Sequence, residues 1–127
     1  MQLVQPAEMP VPKGHYTPGI VANGLVFVSG QLPTDPATGA LVGTTAEEQT
    51  ERALRNTELV LRAAGSSLDR VVQMTIYIPD GELWGAVNTA YSRVMGSHRP
   101  TRAIVPVSPL HYGALIEIQA VALAGGS

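Results

Sequence analysis

Cysteine is absent from this 127-residue sequence, and aromatic and charged residues are both scarce. Without cysteine the chain forms no disulfide, no thiolate metal site and no catalytic thiol. Aromatic residues make up 5% of the sequence and charged residues 14%. The charged share lies well below the roughly 25% of an average soluble domain. So few charges predict that another subunit covers part of the surface.

Strongly basic segments and long apolar runs are also missing. Eight Lys and Arg against ten Asp and Glu give a net charge of -2, and the basic residues are scattered. Nucleic-acid binding is therefore not expected. No run approaches the roughly 20 apolar residues that cross a bilayer, so we expect no membrane protein. Residues 1–12 show no signal-peptide pattern, which favours the cytoplasm.

The length predicts one domain over residues 1–127, built around a single core. Its first part begins with a proline-containing, irregular arm over residues 1–18. Strands at 20–22 and 25–29 follow, joined by an Asn23-Gly24 hairpin turn. Residues 32–44 form a loop, with a possible short strand at 40–42.

The second part alternates helices and strands. Thr45 and Glu48 form a capping box that begins a helix, and Gly65 ends it. A strand over 71–78 places Val72 and Met74 on one face. Asp80 caps a second helix that ends at Arg93 or Met95, and strands follow at 103–107 and 114–123. The apolar stripe of this helix comprises Leu83, Trp84, Val87, Tyr91 and Val94. This order predicts an α+β fold with both helices on one face of a mostly single sheet.

Metal and serine-hydrolase chemistry have little support. The three histidines, His15, His98 and His111, lack the spacing of a metal site. Ser29 does not lie in a nucleophile elbow. The glycines do not match a phosphate-binding loop. We therefore expect no metal and no nucleotide.

Two charged residues, Arg102 and Glu117, lie within predicted strands. Alternation places Glu117 opposite Ile116 and Ile118, where it faces either solvent or another subunit. A covered glutamate suits general acid–base chemistry. Arg102 has the geometry to pair with a substrate carboxylate, or with an acidic residue of another subunit.

Motifs along nearly the whole chain resemble the reactive intermediate deaminase family, also called Rid or YjgF. They are GHYTP at 14–18, VFVSGQLP at 26–33, Gln49 with Asn56, AAG at 63–65, VNTAY at 87–91, PTR at 100–102 and IEIQA at 116–120. The resemblance implies a chorismate-mutase-like (bacillus-type) α+β fold with a mixed sheet. It also implies a homotrimer with active sites between subunits. The implied reaction is hydrolysis of 2-imino acids and enamines to 2-keto acids and ammonia, without metal or organic cofactor.

The resemblance also implies roles for single residues. Arg102 would bind the substrate carboxylate and Glu117 would position the attacking water. The implied substrate-binding residues are Tyr16, Ser29, Gly30 and Asn88, and Tyr91 belongs to the same second-helix motif as Asn88.

The sequence also departs from the family pattern at three places. Ile104 stands where many members carry cysteine, and 110–113 read Leu-His-Tyr-Gly. The stretch 95–99 looks shorter and brings His98 and Arg99 near the pocket.

Three hypotheses stay open. The first is a general 2-imino acid deaminase. The second is a deaminase of a larger or dicarboxylic enamine of the aminomuconate type, with Arg99 and His98 as a second anion contact. The third is a non-catalytic trimer that binds keto acids. Ribonuclease activity, reported in this family, has little physical support at a net charge of -2.

Overall fold

A six-stranded sheet forms the centre of the molecule in the computed structural model, which describes residues 1–125. Residues 126–127, the end of the predicted domain, lie outside the described part. The strands are β1 (Gln2–Val4), β2 (Gly19–Ala22), β3 (Leu25–Gln31), β4 (Val71–Ile78), β5 (Thr101–Pro106) and β6 (Glu117–Leu123). Two helices, α1 (Ala46–Ala63) and α2 (Trp84–Met95), complete the described α+β fold.

The sheet is mixed, with the order β1-β2-β3-β6-β4-β5. The pair β4 and β5 is parallel and the other neighbouring strands are antiparallel. Both helices pack on one face, where Leu54 and Leu61 of α1 and Val87 of α2 meet Met74 and Ile76 of β4 in the core. The predicted fold class is therefore confirmed. Because β5 lies at the edge of the sheet, its residues stay accessible from the side.

Local signals in the sequence position the first elements correctly. Asn23 and Gly24 both have positive φ, 54° and 79°, as a two-residue type I′ turn between β2 and β3 requires. The Thr45 hydroxyl accepts from the Glu48 amide and the Glu48 carboxylate accepts from the Thr45 amide, so the predicted capping box is present.

Buried amides attach α1 to the loops beside it. Asn56 Nδ2 donates to the carbonyls of Leu32 and Thr34 at 3.0 and 2.8 Å. Gln49 donates to the Gly43 carbonyl at 3.1 Å, and its Oε1 accepts from the Leu115 amide at 2.8 Å. Gln49 and Asn56, which belong to the family-like motifs, therefore hold α1 against the neighbouring loops.

The predictions for the arm and the loop need correction. The arm is not wholly irregular, because β1 pairs with β2 at the edge of the sheet. Residues 40–42 form only an isolated bridge between Thr34 and Leu41. Val72 is exposed instead of sharing the buried face of Met74, because the pairing with β6 shifts between Val71 and Gln73.

Several boundaries also differ from the prediction. Asp80 caps a 3-10 turn over Gly81–Leu83, and α2 begins only at Trp84. Strand β5 includes Thr101 and ends at Pro106. Strand β6 starts at Glu117, since the chain before it makes a 3-10 turn in which Tyr112 has a φ of 59°.

Candidate active site

Arg102 projects from the edge strand β5 toward α2, where three side chains fix its guanidinium. Its Nη1 donates to Asn88 Oδ1 at 2.8 Å. The guanidinium carbon lies 4.9 Å from the Tyr91 ring centroid and 5.5 Å from that of Trp84, both distances typical of cation–π contacts. Asn88 is the one hydrogen-bond acceptor that the described residues give this side chain. The remaining guanidinium donors are free to bind a planar anion such as a carboxylate.

A cavity of about 540 Å³ opens beside this guanidinium, between α2 and the start of β5. Its lining includes Trp84, Asn88, Tyr91, His98, Arg99 and Arg102. Two arginines line this cavity and neither aspartate nor glutamate does, so its electrostatic potential favours an anion.

His98 and His111 both contact neighbouring residues of the chain. His98 Nε2 lies 2.8 Å from the Val71 carbonyl. A carbonyl only accepts, so Nε2 carries the proton and donates. The His111 and Tyr112 rings are tilted by 46° with their centroids 3.9 Å apart, and His111 is not part of the cavity lining. Of the additional residues considered from the sequence, His98 and Arg99 thus reach the cavity and His111 does not.

The Tyr91 hydroxyl is buried and has no hydrogen-bond partner within residues 1–125. Burial raises the pKa of this phenol above its ordinary value of 10.0, and the Arg102 charge opposes the rise. The phenol therefore stays protonated at neutral pH, and its hydroxyl is a buried donor without a partner among the described residues.

Glu117 lies on the other face of the sheet, over Gly30. Strand β3 bulges between Val28 and Gln31, and Gly30 falls within that bulge. A Cβ atom on Gly30 would overlap the Glu117 carboxylate, so only glycine lets this side chain lie against the β3 backbone. Gly30 therefore determines the position of the carboxylate.

Ser29 contacts the N-terminal arm next to Tyr16. The Ser29 hydroxyl donates to the Thr17 carbonyl at 2.6 Å and its amide donates to the Pro18 carbonyl at 2.9 Å. Ser29 therefore holds the segment that carries Tyr16. The exposed Tyr16 ring borders a smaller cavity of about 150 Å³ between the arm and the loop at 34–39.

A single chain does not bring Arg102 and Glu117 into one pocket. On β4, Met74 pairs with Arg102 and Tyr77 pairs with Glu117. Met74 and Tyr77 are three residues apart, so they and their partners point to opposite faces. The strands β5 and β6 are also separated by β4, a backbone distance of about 10 Å. The predicted residues thus divide into an arginine group beside α2 and a glutamate group on the open face.

Trp84 is the residue whose place sequence reasoning missed. The predicted apolar stripe assigned it to the core, but its side chain is 46% exposed and covers Arg102. As the only tryptophan, at the start of a helix, it gives no sequence signal for this contact.

Two other features are absent from residues 1–125. No group of three or more His, Asp or Glu side chains comes close enough together to hold a metal ion. None of the described helices combines the length and apolarity that crossing a membrane requires.

The fold and the arginine cavity define a class of small α+β proteins with a positively charged cavity beside the edge of the sheet. Within this class, a family model described as endoribonuclease L-PSP matches residues 6–124. The chain belongs to this family, the YjgF, Rid or RutC family, as the sequence motifs indicated.

Named relatives support the same grouping. A RutC family protein of Pyrococcus abyssi is 40% identical over 113 residues, which cover 89% of each chain. The human 2-iminobutanoate/2-iminopropanoate deaminase is 33% identical over 124 residues, 98% of this chain and 90% of the human one.

Two solved structures resemble this chain over nearly its whole length. A Thermotoga maritima protein superposes with a TM-score of 0.92 at 41% identity, covering 99% of both chains. Escherichia coli TdcF, solved with bound serine, gives a TM-score of 0.91 at 29% identity, covering 98% of this chain and 100% of TdcF.

Proposed function

We propose that this protein hydrolyses 2-imino acids and their enamine tautomers to 2-keto acids and ammonia. The observation that carries the proposal is the Arg102 guanidinium, fixed by Asn88, Tyr91 and Trp84 at a cavity without acidic side chains. Two similar proteins agree with it. The human relative is a 2-imino acid deaminase, and TdcF binds serine, whose carboxylate is next to a nitrogen-bearing carbon.

The chemistry requires only orientation, one water and proton transfers. Arg102 holds the substrate carboxylate and presents the adjacent imine carbon, and such positioning lowers a barrier by several kcal/mol. Glu117 accepts a proton from the attacking water as the oxygen bonds to the imine carbon. When the substrate is the protonated imine, Glu117 then returns this proton to the nitrogen of the resulting carbinolamine, and the nitrogen leaves as ammonia while the hydroxyl loses its proton to solvent and the C=O bond forms. No covalent bond to the protein is required.

The active site is proposed to lie between subunits of a homotrimer. Because Arg102 and Glu117 project from opposite faces of the sheet, a second copy has to supply one of them. The open face that carries Glu117 also exposes the apolar side chains of Phe27, Val105 and Leu123, which a neighbouring subunit would cover. This arrangement also accounts for the low share of charged residues.

The test is the ultraviolet decay of an imine that an amino acid oxidase generates from leucine or methionine. Wild type is expected to accelerate the decay. Arg102→Ala should lower kcat/KM by about 100-fold, since a lost charge-assisted pair costs up to about 3 kcal/mol. Glu117→Gln should lower mainly kcat. Arg93→Ala, which changes an exposed α2 arginine outside the cavity lining, should behave as wild type. Decay that is the same with and without wild type would contradict the proposal.

A further inference from the structure

Arg99 has no assigned role in the chemistry described above, yet it lines the same cavity as Arg102. It is exposed and forms no ion pair among residues 1–125. The turn before it is fixed, because His98 Nε2 donates to the Val71 carbonyl at 2.8 Å and the His98 amide donates to the Met95 carbonyl at 3.3 Å. The backbone at Arg99 is therefore anchored to the core through its neighbour.

Charge balance makes Arg99 a candidate binding residue. When the carboxylate of a simple imino acid pairs with Arg102, one positive charge in the cavity still lacks a counter-charge. No acidic side chain of the same chain lines the cavity, and the Glu117 carboxylate that a second copy would supply is matched by the charge of the protonated imine. A second anionic group on the same ligand would neutralise the Arg99 charge.

The dimensions of the cavity fit such a ligand. Its volume of about 540 Å³ lies within the range of sites for small organic molecules, roughly 300 to 1,000 Å³. Three residue steps separate Arg99 from Arg102, at most about 11 Å along extended backbone, and both side chains are long enough to contact one small ligand. Trp84 and Tyr91 supply the aromatic surface beside them. A short apolar chain with an anion at each end matches this arrangement.

We infer that Arg99 forms a second anion site, and that the preferred substrate is an imino acid whose side chain ends in a carboxylate. This inference rests on the proposed imine hydrolysis, which would take place at the Arg102 end of the cavity. Arg102 binds the carboxylate next to the reacting carbon, and Arg99 binds the distal carboxylate. Arg99 is thus a specificity-determining residue, because the same contact is absent for a monocarboxylic imino acid.

Binding of product-like keto acids tests the site without relying on catalysis. Calorimetric titration would compare 2-oxoglutarate, with two carboxylates, and 2-oxobutanoate, with one. Wild type should bind the dicarboxylate at least about tenfold more tightly, as expected for one added charge-assisted pair. In Arg99→Ala the ratio of the dicarboxylate affinity to the monocarboxylate affinity should be close to one. In Arg99→Glu this ratio should be below one. Arg93→Ala should retain the wild-type ratio.

Hydrolysis of imines generated from glutamate and methionine supplies the second readout. The Arg99→Ala change should raise KM for the glutamate-derived imine more than for the methionine-derived one. Equal binding of the two keto acids by wild type, or a ratio unchanged in Arg99→Ala, would overturn the second anion site. If wild type hydrolyses neither imine, the proposed hydrolysis is wrong. The ratio of the two keto-acid affinities would then still decide whether Arg99 is an anion-binding residue.

Discussion

Gly30 links the backbone of β3 to the position of the Glu117 carboxylate. The bulge between Val28 and Gln31 brings the glycine under that carboxylate, where there is no room for a Cβ atom. The overlapping atoms belong to the end of a flexible side chain, so a substitution would move the carboxylate and leave the strands in place. A substitution of Gly30 should therefore affect catalysis without affecting the stability of the fold.

Gly30→Ala is expected to lower kcat for imine hydrolysis by about tenfold or more, since displacement of a catalytic group by about 1 Å has effects of that order. The melting temperature should change little. Gly81→Ala is the matched control, because its Cβ atom would make only ordinary contact with Pro106. Steady-state kinetics with a thermal melt of each variant measures both quantities. Full activity in Gly30→Ala would remove Glu117 from the mechanism.

The charged residues of the site can be identified from the sequence, but the residues that contact them cannot. Arg102 and Glu117 are recognisable because charges within apolar strands are unusual. The contact of Trp84 with Arg102 is not recognisable, since it depends on how α2 crosses the edge of the sheet. Likewise, Ser29 matches a pocket motif, but its hydroxyl donates to the Thr17 carbonyl, a contact set by tertiary structure.

Helix α1 is the element whose beginning is most clearly encoded. The Glu48 carboxylate accepts from the Thr44 and Thr45 amides, and the Thr45 hydroxyl accepts from the Glu48 amide. Hydrogen bonds from the Thr44 amide and then from Thr45 hold the pKa of Glu48 below its ordinary value of 4.5. The charged form is thus the one that the folded chain favours.

Thr45→Ala should lower the free energy of unfolding by about 1 kcal/mol, the usual effect of losing a threonine cap. Urea denaturation monitored by circular dichroism measures this change. Thr38→Ala, which removes a hydroxyl from the exposed loop turn, is the control and should have a smaller effect. Equal effects of the two substitutions would show that the capping box does not stabilise α1.

Glu48→Gln isolates the charge within the same capping box. Because folding lowers the pKa of Glu48, its ionised form stabilises the protein above pH 4.5, and this contribution is lost as the pH falls through the folded-state pKa. Wild type should therefore be more stable than Glu48→Gln at neutral pH, and the difference should shrink as the pH falls below 4.5. Urea denaturation curves of both proteins, recorded from neutral to acidic pH, measure this difference in stability. A difference that stays constant with pH would contradict the assignment.

Elements defined by local signals could be predicted, and elements defined by distant partners could not. The Asn23-Gly24 turn and the capping box act within a few residues, so the sequence locates the hairpin and the start of α1, although β3 extends to Gln31 beyond the predicted residue 29. Strand β1 exists only because β2 is beside it, and the exposure of Val72 follows from a shift in pairing with β6. No local pattern reveals either feature.

At the scale of the whole molecule, the open face of the sheet is the main unexplained surface of a single chain. Phe27 on β3 and Leu123 on β6 are 45% and 44% exposed there, on the face that also carries Glu117. The other face is covered by α1 and α2. A second copy packed on the open face would bury these apolar side chains, and the two copies together would complete the site.

Phe27→Glu is expected to prevent assembly, because a charge on this face would be buried without a partner. The variant should elute as a monomer in size-exclusion chromatography with light scattering, and its imine hydrolysis should fall to background. Val42→Glu is the control, since it changes an exposed apolar side chain in the loop before α1. A fully active monomer would contradict a site shared between subunits.

Subunit complementation tests the central claim, an imine hydrolase with Arg102 and Glu117 supplied by different subunits. Arg102→Ala and Glu117→Gln would each be purified, shown to be inactive, then mixed in equal amounts under conditions of subunit exchange. Random assortment leaves both residues intact in about one quarter of the shared sites, so roughly a quarter of wild-type activity should return. Exchanged oligomers that remain inactive would contradict the shared site.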